Sequence, residues 1–132
     1  MSNPTLQKSY RIVTTGGVPA RRVVVVSAAA GDCALPAGAN AAGVLGLTAA
    51  SQPAAYRAVT VVKSGLAEAE AAGPVAIGAA VHAADALGRV RAVEADAGAV
   101  VHVVGFAETA AAAAGDIVTV NVAPHLWTTP VV

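Results

Sequence analysis

The sequence predicts an all-β domain, a compact barrel or sandwich of about ten short strands, and three observations carry that expectation. Runs of β-branched residues recur, most plainly Val23-Val24-Val25-Val26 within Arg21 to Ser27. Ile117, Thr119 and Asn121 alternate with Val118, Val120 and Val122, the period-two pattern of a half-buried strand. Turn residues interrupt the chain at short intervals, and no long segment has the apolar spacing of an amphipathic helix.

Met1 to Ala20 is polar and punctuated, with Tyr10-Arg11-Ile12-Val13 as its one strand-like segment. It reads as an N-terminal arm that either completes a sheet elsewhere or supplies the first strand of its own barrel. Residues 21–124 form the predicted β-domain and 125–132 a tail. The four valines suit a strand covered on both faces. Ala28-Ala29-Ala30-Gly31-Asp32 then turns into Cys33-Ala34-Leu35, and Ala42 to Thr48 forms another short strand in which Gly43 and Gly46 suggest a bend, a bulge or a close backbone approach. Tyr56 to Lys63 is a strand, with Ser64-Gly65 as a turn after it. Leu66 to Ala72 fits helix by propensity or strand by alternation, and its strand neighbours favour the latter. Pro74 to Gly78 and Ala80 to Ala83 flank a glycine-centred turn. Asp85 to Gly88 is a hairpin tip with Arg89 to Val93 as the return, and Asp96-Ala97-Gly98 leads into Val100 to Val104. The polyalanine run Ala110 to Ala114 has the propensity for a helical turn but is too short to be stable alone. Pro124 is expected to stop the last strand, leaving Trp127 as a large apolar group on a terminus suited to docking.

The size, 132 residues, fits one domain. Hydrophobic residues make up 56% of the chain but aromatics only 3%, so the core is built of alanine and valine. Burial stabilises by roughly 25 cal/mol per Å² of apolar surface; a core of such small side chains is thin and gains stability from a partner surface. The mean hydropathy is +0.66, yet every apolar window is broken by glycine or a charged or histidine residue before it reaches the roughly 20 residues of a spanning helix. No signal peptide is expected, and the producing cell's cytoplasm is the default compartment. Eight basic residues balance eight acidic ones, which argues against a nucleic-acid partner.

No pattern in the chain points to catalysis, a cofactor or a metal. His82, His102 and His125 lack the carboxylate or cysteine spacing of a zinc site. His102 reads as a core or subunit-interface imidazole. Cys33 reads as a small core residue and cannot form an internal disulfide, being the one cysteine. The pairs Glu68 with Glu70 and Glu94 with Asp96 read as solvated faces, and Gly43-Val44-Leu45-Gly46 lacks the lysine that a phosphate loop requires.

The order of segments resembles the capsid cement, or head decoration, proteins of tailed bacteriophages, a family of small Ala/Gly/Val-rich β proteins encoded beside the major capsid protein. The resemblance covers roughly Arg22 to Val122 and rests on five phrases: Ala29-Ala30-Gly31-Asp32; Ala42-Gly43-Val44-Leu45-Gly46; Val61 to Gly65; Pro74 to Val81 followed by Gly88-Arg89-Val90; and Val104 to Ala107 with Ala114 to Val120. It implies a virion protein on the outer capsid surface, made in the host cytoplasm, that binds an assembled head, often as trimers, and bridges major capsid protein subunits. On that reading Lys8, Tyr10, Arg11, Ile12, Val13 and Trp127 are candidate capsid contacts, and Val100, His102, Val104 and Phe106 candidate subunit contacts. The residues leave open another virion part, in the tail or a spike, and a small β-barrel ligand carrier or enzyme using Cys33 and a histidine.

Overall fold

A computed structural model describes residues 5–93 and 98–128. Among them it has nine strands and no helix: β1 (Leu6–Ile12), β2 (Val23–Val26), β3 (Asp32–Ala34), β4 (Val44–Thr48), β5 (Ala58–Glu70), β6 (Ala80–Ala83), β7 (Val90–Ala92), β8 (Val100–Ala107) and β9 (Ile117–Thr128). The all-β expectation holds, as a closed five-stranded barrel with an open sheet attached to it. The barrel runs β1-β3-β2-β4-β5 and closes where β1 pairs antiparallel with β5, from Leu6 opposite Ser64 to Arg11 opposite Ala58. A barrel this small is filled by its own side chains. Tyr10, Ile12, Val24, Cys33, Leu45 and Val61 supply them, none more than 9% exposed.

Of the two readings of the N-terminal segment, the second holds: Leu6 to Ile12 is a strand of the chain's own barrel. Parity decides this: with Tyr10 and Ile12 on one face and Ser9 and Arg11 on the other, the strand has an apolar side that only the barrel can cover.

Ser64-Gly65 does not turn the chain. β5 continues for 13 residues, pairing with β1 and β4 in its first half and with β9 in its second, where Gly65 lies opposite Val122. Gly65 takes a φ of 100°, which lets the strand change direction as it passes from barrel to open sheet. That sheet runs β5-β9-β8-β6-β7. Its inner face packs Val81, Val118, Val120 and Val122 against Val23, Leu47 and Val62 on the barrel's outer surface. The alternation read at Ile117 to Val122 thus has its physical cause: the three valines are at most 1% exposed.

Pro124 does not end the last strand either. Val103 pairs with His125 and Gly105 with Val122, so Val104 alone faces both Ala123 and Pro124. A bulge of this kind tolerates a residue with no N–H, and β9 continues to Thr128. Residues 125–128 of the expected tail are strand, while Thr129 to Val132, Met1 to Pro4, and the Glu94–Asp96 pair with the start of its turn lie outside the described residues. The polyalanine run forms no helical turn; Ala111 exchanges backbone hydrogen bonds with Val75 at 2.9 and 3.0 Å instead. Both Ala-Gly-Asp sequences make the same turn, Asp32 and Asp116 each donating a backbone N–H three residues back at 3.2 Å.

The paired strands β4 and β5 approach most tightly at Gly46. A Cβ built there would lie 1.9 Å from the carbonyl oxygen of Val62, and the residue has a φ of 151°. Gly46→Ala must push β4 away from β5, and it is expected to lower stability by about 3 kcal/mol, the upper range for an overpacked site, with urea denaturation as the measurement.

Candidate functional site

The candidate capsid contacts divide into buried and exposed residues. Tyr10 and Ile12 are 6% and 0% exposed inside the barrel and offer no side-chain surface to a partner. Lys8 is exposed at the barrel mouth with its Nζ 5.2 Å from the centre of the Tyr10 ring, and Lys63 approaches the same ring at 5.5 Å. Arg11 is exposed but engaged: its Nε and Nη2 donate to the two carboxylate oxygens of Asp32 at 2.9 and 2.8 Å. Those hydrogen bonds hold the Asp32 carboxyl below the usual carboxylate range. Val13 is half-buried. Trp127 stands on β9 opposite Val101 and is 42% exposed.

The candidate subunit contacts divide likewise. Val100 and Phe106 are exposed and His102 half-buried, but Val104 is fully buried in the layer between sheet and barrel. The cause is the bulge. Val81 pairs with Gly105 and His82 with Val103, so Val104 is the extra residue on β8, and it breaks the alternation that placed it beside His102 and Phe106. Phe106 stacks on His125 with ring centres 5.8 Å apart.

Two residues not picked out as a site organise this end of the molecule. Asn40, in the loop before β4, accepts the backbone N–H of His102 at 2.8 Å on Oδ1 and donates from Nδ2 to the carbonyl of Val100 at 3.0 Å. Its own backbone N–H donates to the carbonyl of Ala83 at 2.8 Å. A single amide side chain thereby takes the place of a strand along the edge of β8. Asn40 has a φ of 53°, a left-handed conformation that asparagine tolerates better than most residues. His82, 2% exposed, is the fully buried imidazole, whereas His102, read as a core or subunit-interface group, is half-buried. Arg91 lies directly opposite it in the sheet and donates from Nε to His82 Nε2 at 3.0 Å. Because arginine cannot accept, Nε2 is the unprotonated nitrogen, and Nδ1–H faces Asn40 Oδ1 at 3.4 Å. Burial, and then the positive charge of Arg91, lower the His82 pKa. The sequence signal available was an asparagine set among small residues in Gly38-Ala39-Asn40-Ala41-Ala42.

Several of the remaining charges are paired. Glu68 and Glu70 each take an arginine, Arg21 and Arg22, at 3.1 Å rather than facing solvent unpaired. Arg22 also donates to the carbonyl of Leu87 at 3.0 Å, tying β5 to the β6–β7 turn, while its buried Nε has no partner among the described residues. Cys33 faces the barrel interior, where burial pushes its thiol up to about 11, and so it is a poor nucleophile at neutral pH. His82 and His102 belong to the open sheet, so no cysteine–histidine pair is assembled. Among the described residues no group of His, Cys, Asp or Glu could hold a metal ion, and no helix is long and apolar enough to cross a membrane. An open depression of about 180 Å³ runs beside β9, with Gly43, Val44, His102, Pro124 and Leu126 in its lining.

Barrel and attached sheet together define an all-β protein. No protein-family model matches the chain, and comparison with curated proteins finds no relative.

Asn40→Ala leaves the Val100 carbonyl and the His102 N–H unpaired, and a loss of about 2–3 kcal/mol is expected in urea denaturation. His82 adds a pH dependence. Its folded pKa lies below the ordinary 6.5, so on acidification the unfolded chain takes up the proton first. Stability is full above that value and falls as the pH drops below it. Denaturation midpoints at successive pH values should show this slope in the native chain and a weaker one in His82→Gln.

Proposed function

We propose that the protein is a virion structural protein of a tailed bacteriophage, which binds the outer surface of an assembled head and stabilises it by bridging major capsid protein subunits. The resemblance in segment order supports this reading. The structural observation that carries it is the β8–β9 ribbon: its two strands contain no charged residue, yet Val100, Phe106, Leu126 and Trp127 are 42–67% exposed there. Interface centres are depleted in charge and enriched in aromatic groups, and a barrel filled by its own side chains favours recognition by surface over recognition in a cavity. On this reading the contact is made by Trp127 with its apolar surroundings, and by Lys8 and Arg11 from β1. Tyr10 and Ile12 contribute by holding β1 in the barrel. Each contact can be weak, because copies repeated over a shell add avidity.

Removing the first twelve residues would open the barrel, so truncation is no test of binding. A side-chain substitution is. In co-sedimentation with expanded heads that lack the protein, the native chain should bind saturably. Trp127→Ala should weaken binding by about 30-fold, the loss of one interface anchor, with its thermal midpoint little changed. Failure of the native chain to sediment with heads would refute the reading.

A further inference from the structure

Three stretches of the described fold pair on one side only: Leu6 to Ser9 of β1, Leu66 to Glu68 of β5 and His125 to Thr128 of β9. The first carries Lys8 and the second Glu68, and the third alone has no formal charge. β1 and β5 close the barrel on itself. The edge of β8 from Val100 to His102 is taken by the Asn40 amide. β7 is three residues long, and the Val90 carbonyl on it accepts the Ala72 N–H at 2.8 Å. β9, by contrast, pairs with β5 only as far as Val122, and from His125 to Thr128 it pairs with β8 alone. Among the described residues nothing pairs with its other side. Proteins protect such an edge with lysines, inward charges or prolines; here Pro124 guards only its start. The carbonyl of Ala123 beside it is occupied by the His125 ring at 2.6 Å.

We infer that the free edge of β9 from His125 to Thr128 pairs antiparallel with the same edge of a second copy across a two-fold axis. Three properties select a second copy as the occupant. An antiparallel strand edge is complementary to itself, so one surface serves both partners, as a two-fold contact requires. Neither β8 nor β9 carries a formal charge, so two identical surfaces meet without repulsion. Leu126 is 67% exposed and Val100 50%; they lie on one face of the ribbon, since His102 pairs with Leu126 and Val100 with Thr128. Two copies of that face would cover the joint. Trp127 points to the opposite face and stays free for another partner. The contact is short, so it produces a concentration-dependent dimer rather than a permanent one. This goes beyond the head-binding reading, does not depend on it, and replaces the three-fold expectation with a two-fold contact.

Sedimentation equilibrium of the full chain over a range of concentrations tests it, together with two variants. A dimer is expected, and Leu126→Lys, a change at an exposed position, should raise its dissociation constant at least tenfold while leaving the thermal midpoint unchanged. Leu126→Cys should form a disulfide-linked dimer under mild oxidation far faster than Ile77→Cys, which is 72% exposed but outside the strands; the buried Cys33 does not compete. A monomer at all concentrations, a trimer, a dimer indifferent to Leu126→Lys, or equal cross-linking of the two cysteine variants would each overturn the proposal.

Discussion

Both halves of the molecule depend on one strand. From Ala58 to Glu70 β5 is unbroken; it closes the barrel against β1, and then, past Gly65, it provides the strand on which β9 builds the open sheet. Because side chains alternate, the same strand feeds both interiors: Val59 and Val61 point into the barrel, while Val62 points into the layer outside it. The close approach of the paired strands β4 and β5 at Gly46 accompanies this sharing. β4 must lie nearly in contact with the backbone of β5 for Leu45 and Leu47 to reach the two different interiors.

A core of alanine and valine has little apolar area per residue, and the fold compensates with many short pairings and a few polar ties. The Asn40 amide, the arginine–glutamate pairs and the Asp85 carboxylate are such ties. Asp85 accepts Arg89 Nε and Nη2 at 2.9 and 2.7 Å and fastens the β6–β7 turn. Each links segments that small side chains alone would hold weakly. The exposed pairs contribute little to stability on their own, but they set the register of short strands that would otherwise slip.

The two ends of the molecule differ in charge. At the barrel end Arg11 is paired with Asp32 and lies over the ring of Tyr56, and Lys8 and Lys63 lie over the ring of Tyr10. The far end of the β8–β9 ribbon carries apolar and aromatic groups with no formal charge. The two proposed contacts, with a capsid surface and with a second copy of the chain, do not compete for one face, because Trp127 and Leu126 face opposite sides of one ribbon.

Much of this was legible from residue order. The all-β class, the strand at Ile117 to Val122, the Asp85 to Gly88 turn and the burial of Cys33 follow from local rules: β-branched runs, alternation and turn chemistry act within a few residues. What those rules missed depends on partners distant in sequence. Whether Ser64-Gly65 turns or continues is decided by β9, more than fifty residues on, which offers an edge for β5 to follow. Whether Val104 faces in or out is decided by the bulges it makes with β6 and β9. That His82 rather than His102 is the buried imidazole depends on Asn40 and Arg91 meeting it from either side. The sequence by itself determined the all-β class and most of the segments that extend, because those preferences are written in single residues and their neighbours. Only the tertiary structure decided which faces are covered and which edges stay open, because burial and pairing belong to strands that meet in space.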